Sequence, residues 1–488
     1  MRTAVIGAGI GGLAAAIRRA AAGDEVTVWE RNDVPGGKLS ELRTGPWRFD
    51  TGPSLFTLPG LVAELFDLCG ERMEEHLPLR RLDASCRYFF PDGSAFTCYN
   101  DPEKLSRELA RAGIGGGEAV ARRLDDARQA YELSAPVFLF SDFHRLANFR
   151  TPPYRRIASQ LGRLDLLRTM HGANRRDFRD RRLVQLFDRY ATYNGSSPYR
   201  APATLNMIAH LEHNLGASFP ERGIYAIAEE LYRLALRQGV RFRFGTPVER
   251  IVTERGRAVG LTAAGETCRF DRIVSDVDVC YLSERLLAGH PLRGRLRRAE
   301  PSSSALIFYW GVEGRYPQLG LHNVLFADDY RTEFRRLFRD RTIADDATVY
   351  LFVSSKVVVG DAPDGCENWY AMVNAPADCG QDWDALAARV REQTVRKISR
   401  QLQTDLAGKI AAERVCTPRD IEARTMSACG ALYGASSNGR LAAFLRHPNR
   451  LSMFENLYFV GGSVHPGGGI PLCLASAKIV CDEIAAGR

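Results

Sequence analysis

Lysine is nearly absent: six of the 66 basic residues are lysine and the rest are arginine. Codon composition explains such a bias, but it does not explain where the arginines sit. The 488-residue chain also lacks any apolar run near the ~18–20 residues that a membrane-spanning helix needs. Candidates such as residues 135–140 are far too short. Its eleven cysteines include no Cys-x-x-Cys pair, and a chain of this length needs no disulfide staple, so buried thiols in a reducing cytoplasm are expected. No internal repeat, no His-Glu-x-x-His pattern and no Ser/His/Asp or Cys/His arrangement stands out, so neither a metal nor a nucleophilic triad is expected. With 45% apolar and 25% charged residues, disorder is excluded and a globular protein of two or three domains is expected.

The charge present is concentrated. The net charge is +8, and residues 145–189 alone supply it, with twelve Arg and no Lys against Asp165, Asp177, Asp180 and Asp188. The segment reads as a solvated helical face or as an attachment site for anionic lipid. In the second reading Phe149, Tyr154, Ile157 and Leu161 would dip into the interface. Nucleic acid is excluded as a partner because no reading module accompanies the arginines.

The strongest signal lies in the first fifty residues. Thr3-Ala4-Val5-Ile6 has the composition of a buried parallel strand. It runs into Gly7-Ala8-Gly9-Ile10-Gly11-Gly12, an Ala-rich helix over 13–22 that stops at Gly23, and a second strand, Glu25–Glu30, ending in an acid. Met1-Arg2 followed by apolar residues has the outline of a secretion signal, but the glycine spacing and Asp24-Glu25 argue against one. The βαβ unit fits a dinucleotide. Gly7 makes the turn, Gly9 lets backbone approach a pyrophosphate, and Gly12 lets helix and sheet pack closely. The helix N-terminus presents unpaired N–H groups to phosphate. Glu30 would accept from ribose hydroxyls and repel a 2′-phosphate, which favours FAD or NAD over NADP.

Two further glycine loops follow: Arg31-Asn32-Asp33-Val34-Pro35-Gly36-Gly37-Lys38, then Phe49-Asp50-Thr51-Gly52-Pro53-Ser54. The Glu-x5-Gly-Gly spacing after a Rossmann unit resembles the flavin-containing amine oxidase and phytoene desaturase superfamily. There it helps to hold FAD, whereas a dehydrogenase using free NAD has no need of it. The C-terminus agrees. Asn456–Ser463 reads as a strand entering a Gly-Gly turn, followed by Val464-His465-Pro466-Gly467-Gly468-Gly469-Ile470-Pro471 and a helix over 472–485. This ending resembles bacterial carotenoid desaturases more than amine oxidases. So do residues 190–199, His210–Ala217, Gly365–Trp369, Leu432–Asn438 and Phe444–Pro448, the last leaning toward desaturases that act on 1-hydroxylated acyclic carotenoids at the 3,4 bond.

The resemblance implies an α/β fold with a discontinuous Rossmann-type FAD-binding domain (1–75, 220–285 and 450–488) and an inserted α+β substrate domain (76–219 and 286–449). Within that domain, 145–189 would be a basic helical membrane-contact segment. Strand-like runs at 304–310, 349–354 and 369–374 suggest a sheet flooring a pocket, and the first insert reads as mostly helical. By resemblance, FAD would be held by Gly7, Gly9, Gly11, Gly12, Glu30, Arg31, Gly37, Lys38, Gly52, Pro53 and Ser54. Val248 would meet the adenine, Gly462 and Ser463 the pyrophosphate and ribityl chain, and Ile470 and Pro471 the ring, with Gly469 a further cofactor contact. His210 and His213, three apart and therefore on one helical face, would line the substrate channel. His465 reads as structural. The implied activity is flavin-dependent desaturation of an acyclic carotenoid, most simply at the 3,4 bond of a 1-hydroxycarotenoid, with a quinone or O2 reoxidising the flavin. The protein is expected to be cytoplasmic and peripherally attached to the inner membrane. The alternatives are a phytoene desaturase, a cis–trans isomerase, an amine-oxidase-like enzyme and a non-catalytic carotenoid-binding protein. No catalytic base is identified.

Overall fold

A computed structural model describes residues 1–287, 299–439, 442 and 446–487. A five-stranded parallel sheet forms the cofactor-type half, in the order Leu457–Phe459, Arg272–Ser275, Arg2–Ile6, Glu25–Trp29, Arg241–Arg243. Its central strand is buried on both faces, with Ala4 and Val5 fully enclosed, which is why it reads as a continuous apolar run rather than an alternating one. Val5 registers with Val28 on one side and Val274 on the other. The helix Ile10–Ala21 covers one face, its alanines letting it sit close between the C-terminal helix Ile470–Ala485 and the helix Ala226–Arg237. A three-stranded antiparallel meander (Val248–Glu254, Arg257–Ala263, Glu266–Arg269) flanks the sheet.

The other half is built on a seven-stranded mixed sheet. Its order is Ile410–Cys416, Ser304–Glu313, Cys366–Ala375, Val349–Phe352, His322–Leu325, Ala84–Phe89, Ala95–Tyr99. Strand alternation sorts its side chains onto two faces. Leu306, Phe308 and Trp310, with Trp369, Ala371 and Val373, bury against the helix Trp383–Leu402. Ile307, Tyr370, Met372, Tyr350, His322 and Val324 face the opposite way, into a cavity. The first insert is therefore not purely helical: it supplies the edge hairpin Ala84–Tyr99, whose turn residues Pro91-Asp92-Gly93 carry a recognisable hairpin signal.

The basic segment is likewise not one helix. It breaks into Leu146–Arg150, Pro152–Ser159, Leu161–Leu164, Met170–Asp177 and Arg181–Asp188. Several of its arginines serve internal ion pairs: Arg168 with Asp165, Arg182 with Asp180, and Arg189 with Glu212. All eleven cysteines are free; Cys86, Cys98 and Cys481 are buried, whereas Cys379 and Cys429 are exposed, so the expectation of buried thiols holds only in part. No helix among the described residues is long and apolar enough to cross a membrane.

The two halves are joined by the hairpin Ser40–Thr44/Trp47–Thr51. Trp47 lies flat against Gly311, where a β-carbon would fall 2.4 Å from the indole. Arg48 bridges Asp50 and Asp361, at 2.8 and 3.3 Å, and also pairs with Glu41 at 2.7 Å. Gly311→Val must displace the indole, and overpacking of this kind costs ~1–3 kcal/mol. Chemical denaturation with Trp fluorescence should show a lower midpoint for this variant, with altered emission in the native baseline.

Candidate functional site

The glycine turn is set by backbone contacts. Gly7, at φ +96°, donates its N–H to Trp29 O at 2.8 Å. A β-carbon on Gly12 would fall 2.0 Å from Gly7 O, so Gly12 keeps helix against strand and is the one proposed cofactor contact that does not line the cavity. The helix Ile10–Ala21 begins at Gly9 with no side-chain cap and no acid in its first turn. Its orphan N–H groups stay open to an anion. Glu30 is buried at the end of the second strand, accepting from Ala8 N at 2.8 Å and from Asn32 N and Nδ2 at 2.8 and 2.9 Å.

The C-terminus closes onto this turn. Val460 N donates to Ser275 O at 2.9 Å, and Gly461 (φ +95°) follows. Ser463 Oγ accepts from Val279 N at 3.0 Å. The helix Ile470–Ala485 opens at Gly469, again with no side-chain cap and no acid in its first turn. Two uncapped helix N-termini thus serve one cavity of about 530 Å3, which is also lined by Arg31, Gly37, Lys38, Gly52, Pro53, Ser54, Val248, Gly462, Ile470 and Pro471. Lys38 is held there by Leu432 O at 2.7 Å and Ala431 O at 3.2 Å, and burial lowers its amine below the usual lysine range. His465, pushed down to about 4 by burial, is neutral and lies 3.0 Å from Ser141 O through Nε2.

Sequence reasoning missed the residue at the centre of this arrangement. Asp276 follows the strand Arg272–Ser275, and β-carbons on Gly9, Gly11 and Gly461 would fall 2.3, 2.6 and 2.0 Å from its carboxylate oxygens. Three glycine backbones and one buried acid therefore share a volume with no room for a second side chain. Burial pushes Asp276 up to about 7, with Glu30 adding to the rise while the Gly12 N–H and Lys38 oppose it. Its position at the carboxyl end of a parallel strand, where such sheets bind ligands, was the available signal. The group these features fit is a dinucleotide with a pyrophosphate at the glycine turn: glycines lacking the space for side chains, open N–H groups, and a buried acid at the end of the neighbouring strand.

Beyond the glycine loops the cavity becomes apolar. Ile307, Met372 and Val324 pave its floor, and Tyr131, Phe138, Leu139, Leu164, Leu205 and Leu211 form the helical wall. At its edge sits a buried polar knot. Arg189 pairs with Glu212 at 2.9 and 3.1 Å and lies over the rings of Tyr88, Tyr190 and Tyr193. Burial opposes ionisation of Glu212, but Arg189 overcomes it and the carboxyl is held at about 2.

The expected histidine pair is corrected here. The segment His210–Asn214 forms a wide π-type turn, which turns Leu211 and Glu212 toward the cavity and His210 and His213 away from it. His213 Nε2 is 2.6 Å from Tyr190 OH and its Nδ1 is 3.7 Å from Cys98 Sγ. His210 packs against Tyr131 and Asn214. Among the described residues no His/Cys/Asp/Glu group is arranged to hold a metal. Of the Phe444–Pro448 run, Phe444 and Leu445 lie outside the described residues, and Arg446 reaches the cavity, as does His465 from the C-terminal loop.

Comparison with known proteins agrees with this geometry. Residues 10–485 match the family model of the flavin-containing amine oxidoreductases. The chain is 41% identical to a 1-hydroxycarotenoid 3,4-desaturase of Flavobacterium sp., over 98% of both chains. It is 35% identical to a 4,4′-diapolycopene oxygenase of Methylomonas sp., over 99% of this chain and 98% of that one. A solved putrescine oxidase superposes over 100% of this chain and 99% of its own with a TM-score of 0.65 at 13% identity, which shows a shared fold.

Asp276 gives the site a pH dependence of defined sign. Its folded value, about 7, exceeds the ordinary 3.8, so between those values the folded protein keeps a proton that the unfolded chain has lost. The stability contribution of Asp276 therefore falls as pH rises through that window, by on the order of 4 kcal/mol in all. Above pH 7 its charge also opposes a pyrophosphate. Thermal unfolding of apoprotein and FAD fluorescence titration from pH 5 to 8.5 should both lose this slope in Asp276→Asn, whereas parallel slopes in the two proteins would refute it. The chain belongs to the flavin-containing amine oxidoreductase family and is an FAD-dependent oxidoreductase, similar over almost its entire length to carotenoid desaturases.

Proposed function

We propose that this enzyme desaturates an acyclic carotenoid, converting a saturated carbon–carbon bond next to the polyene into a double bond, with the 3,4 bond of a 1-hydroxylated carotenoid as its target. The observation that carries this reading is the continuity of one cavity from two uncapped helix N-termini into an apolar chamber between the seven-stranded sheet and the helical wall. FAD, when bound, would supply a two-electron acceptor able to take a hydride from one saturated carbon, while the neighbouring carbon gives up a proton as the double bond forms. Gly7, Gly9, Gly11, Glu30 and Lys38 from one chain end, and Gly462, Ser463, Gly469, Ile470 and Pro471 from the other, would hold it. Gly52, Pro53 and Ser54 would meet it from the hairpin side, Arg31 and Val248 from the adenosine side. The chamber residues exclude water and hold the chain in line. Positive charge developing next to a polyene delocalises along it, so the protein's main task is orientation rather than strong base catalysis.

The substrate also explains the outer surface. A C40 polyene resides in the bilayer. Phe149, Leu161 and Leu167 are 50%, 47% and 76% exposed, beside exposed Arg150, Arg155 and Arg156. Leu164, from the same stretch, is buried and lines the cavity. This face would sit on anionic lipid at the cytoplasmic side of the inner membrane and deliver the chain into the chamber, with a membrane quinone or O2 receiving the electrons.

Anaerobic photometry with purified holoprotein and hydroxylated or unhydroxylated acyclic carotenoids tests the reaction. Flavin bleaching together with a red-shifted polyene is expected. An isomer shift without flavin reduction would indicate an isomerase, binding with neither a delivery protein, and oxygen incorporated in air an oxygenase; each would overturn the reading. Flotation with anionic liposomes tests the surface. Phe149→Glu combined with Leu161→Glu and Leu167→Glu should reduce recovery severalfold while leaving flavin content intact, and equal recovery with neutral liposomes would refute the lipid surface.

A further inference from the structure

We propose that Arg446 is the cation that offsets the negative charge an FAD ring gains on reduction, acting together with the N-terminus of the helix Ile470–Ala485. This assignment rests on the reading that Ile470 and Pro471 hold the ring, and it is independent of which carotenoid is oxidised.

Six arginines are buried among the described residues, and five of them have an acid. Arg18 pairs with Glu64 at 3.0 Å, Arg19 with Asp24 at 2.8 Å, Arg48 with Asp50 at 2.8 Å, Arg123 with Asp177, and Arg189 with Glu212 at 2.9 Å. Arg446 is the most enclosed of the six, at 4% exposed, and among the described residues it has no carboxylate partner. Its Nη1 donates to Tyr433 O at 2.9 Å and its Nη2 to Ser437 Oγ at 3.5 Å, both neutral acceptors. Burial pulls the guanidinium down to about 10, with no neighbouring charge to oppose it, so it stays charged at physiological pH. An unpaired buried charge is strongly unfavourable. One that borders the cavity points to a negative group that arrives from outside the chain.

The position of Arg446 identifies that group. Its guanidinium lies against Gly467, where a β-carbon would fall 3.2 Å from Nε and 3.3 Å from Cζ. The Nε atoms of Arg18, Arg123 and Arg189 are sealed in protein without a partner; that of Arg446 is not among such sealed atoms. Two residues beyond Gly467, Gly469 opens the helix Ile470–Ala485 with neither a side-chain cap nor an acid in its first turn. A guanidinium and a helix N-terminus, both positive and both uncompensated, therefore meet at one short loop. They repel each other until a negative charge joins them.

The pyrophosphate is not that charge. Its place is the glycine turn around Asp276, where the cation that acts is Lys38. Lys38 in turn feels Asp278 and Asp276, whereas no acid acts on Arg446. The neighbouring His465 is neutral, through burial and through Arg446 itself. The remaining source is the ring. A hydride from the saturated carbon brings it two electrons and one proton, while the proton of the neighbouring carbon leaves to solvent. Without a second proton the ring carries one negative charge. Positive groups fixed in advance in a water-poor site stabilise such a charge without reorganising. The oxidised ring is neutral, so Arg446 favours reduction rather than cofactor binding.

The test is redox titration of purified holoprotein against reference dyes, with no carotenoid present, in wild type, Arg446→Met and Arg446→Lys. In Arg446→Met the equilibrium constant for two-electron reduction should fall at least tenfold, about 30 mV in midpoint potential. Affinity for sulfite, whose adduct places the same charge on the ring, should fall by a similar factor. Arg446→Lys should recover most of both, and the dissociation constant for oxidised FAD should change less than threefold. Wild type should take up one proton per two electrons between pH 6 and 7, read from the slope of potential against pH, and Arg446→Met should take up closer to two. Unchanged potential and sulfite affinity in Arg446→Met would overturn the assignment. So would weaker binding of oxidised FAD at unchanged potential, which would mark a phosphate contact instead. Should Arg446→Met fail to retain flavin, Arg446→Gln carries the same comparison, and uptake of two protons by wild type would by itself refute the assignment. Because no carotenoid enters these measurements, their failure leaves the desaturase reading standing, and a holoprotein that desaturates no carotenoid leaves this assignment standing.

Discussion

The close meeting of Gly9, Gly11 and Gly461 around the carboxyl of Asp276 is the constraint on which the rest of the molecule depends. These residues come from three parts of the chain that are distant in sequence, yet their backbones approach so tightly that a single methyl group at any of the three glycines would overlap Asp276 oxygens. Such packing can form only after the parallel strands Arg2–Ile6, Arg272–Ser275 and Leu457–Phe459 are in register. The glycine turns are thus consequences of sheet assembly as well as of local sequence. Both uncapped helix N-termini lie beside this meeting point, so the electrostatic field that favours a pyrophosphate is assembled in the same event.

The chamber next to it obeys a different rule. The seven-stranded sheet uses its two faces for separate purposes. One is packed with tryptophans and aliphatics against a twenty-residue helix; the other is left open to the cavity. Because side chains alternate, a one-residue slip in any of these strands would exchange the two sets. The length of the Ser304–Glu313 and Cys366–Ala375 pairing, ten residues on each side, makes such a slip costly. Rigidity of the floor follows, and with it the fixed placement of His322, Tyr350 and Tyr370.

How much of this was legible in the sequence differs between the two halves for a physical reason. A nucleotide cradle is a local device: strand, glycine turn, helix and acid are close along the chain, so Gly7 to Glu30 disclose it by spacing alone. The C-terminal loop and Lys38 became legible through family resemblance. The substrate chamber is a non-local device. Its floor is contributed by strands whose sequence pattern says that they are strands but not which neighbours they take, and the parallel pairing of His322–Leu325 with Ala84–Phe89 joins segments more than 200 residues apart. His210 and His213 looked like a channel pair because a helix with i,i+3 spacing would align them. A wide π-type turn changed the phase, so that the intervening residues face the cavity instead. Asp276 was invisible for the converse reason: it is one acid after a strand, and its significance lies in what two other segments do beside it. Similarly, the arginine-rich segment reads as a single basic surface until the fold commits Arg168, Arg182 and Arg189 to internal carboxylates.

Membership in an amine oxidoreductase family does not make an amine the substrate, and the chamber shows where the distinction lies. The family likeness resides in the parallel sheet and the glycine loops, which serve the cofactor whatever is oxidised. A protonated amine brought into an apolar enclosure must be met by a negative charge or lose its proton, because desolvating an unpaired charge is prohibitive. The carboxyl groups lining this cavity are already engaged. Glu30 takes backbone and Asn32 donors at the nucleotide end, Asp276 is wedged among glycines, Asp278 accepts from Cys280 N at 2.9 Å, and Glu212 is saturated by Arg189 and tyrosine hydroxyls. The rest of the lining is largely hydrocarbon, a surrounding that disfavours an ammonium and accommodates an uncharged, apolar chain.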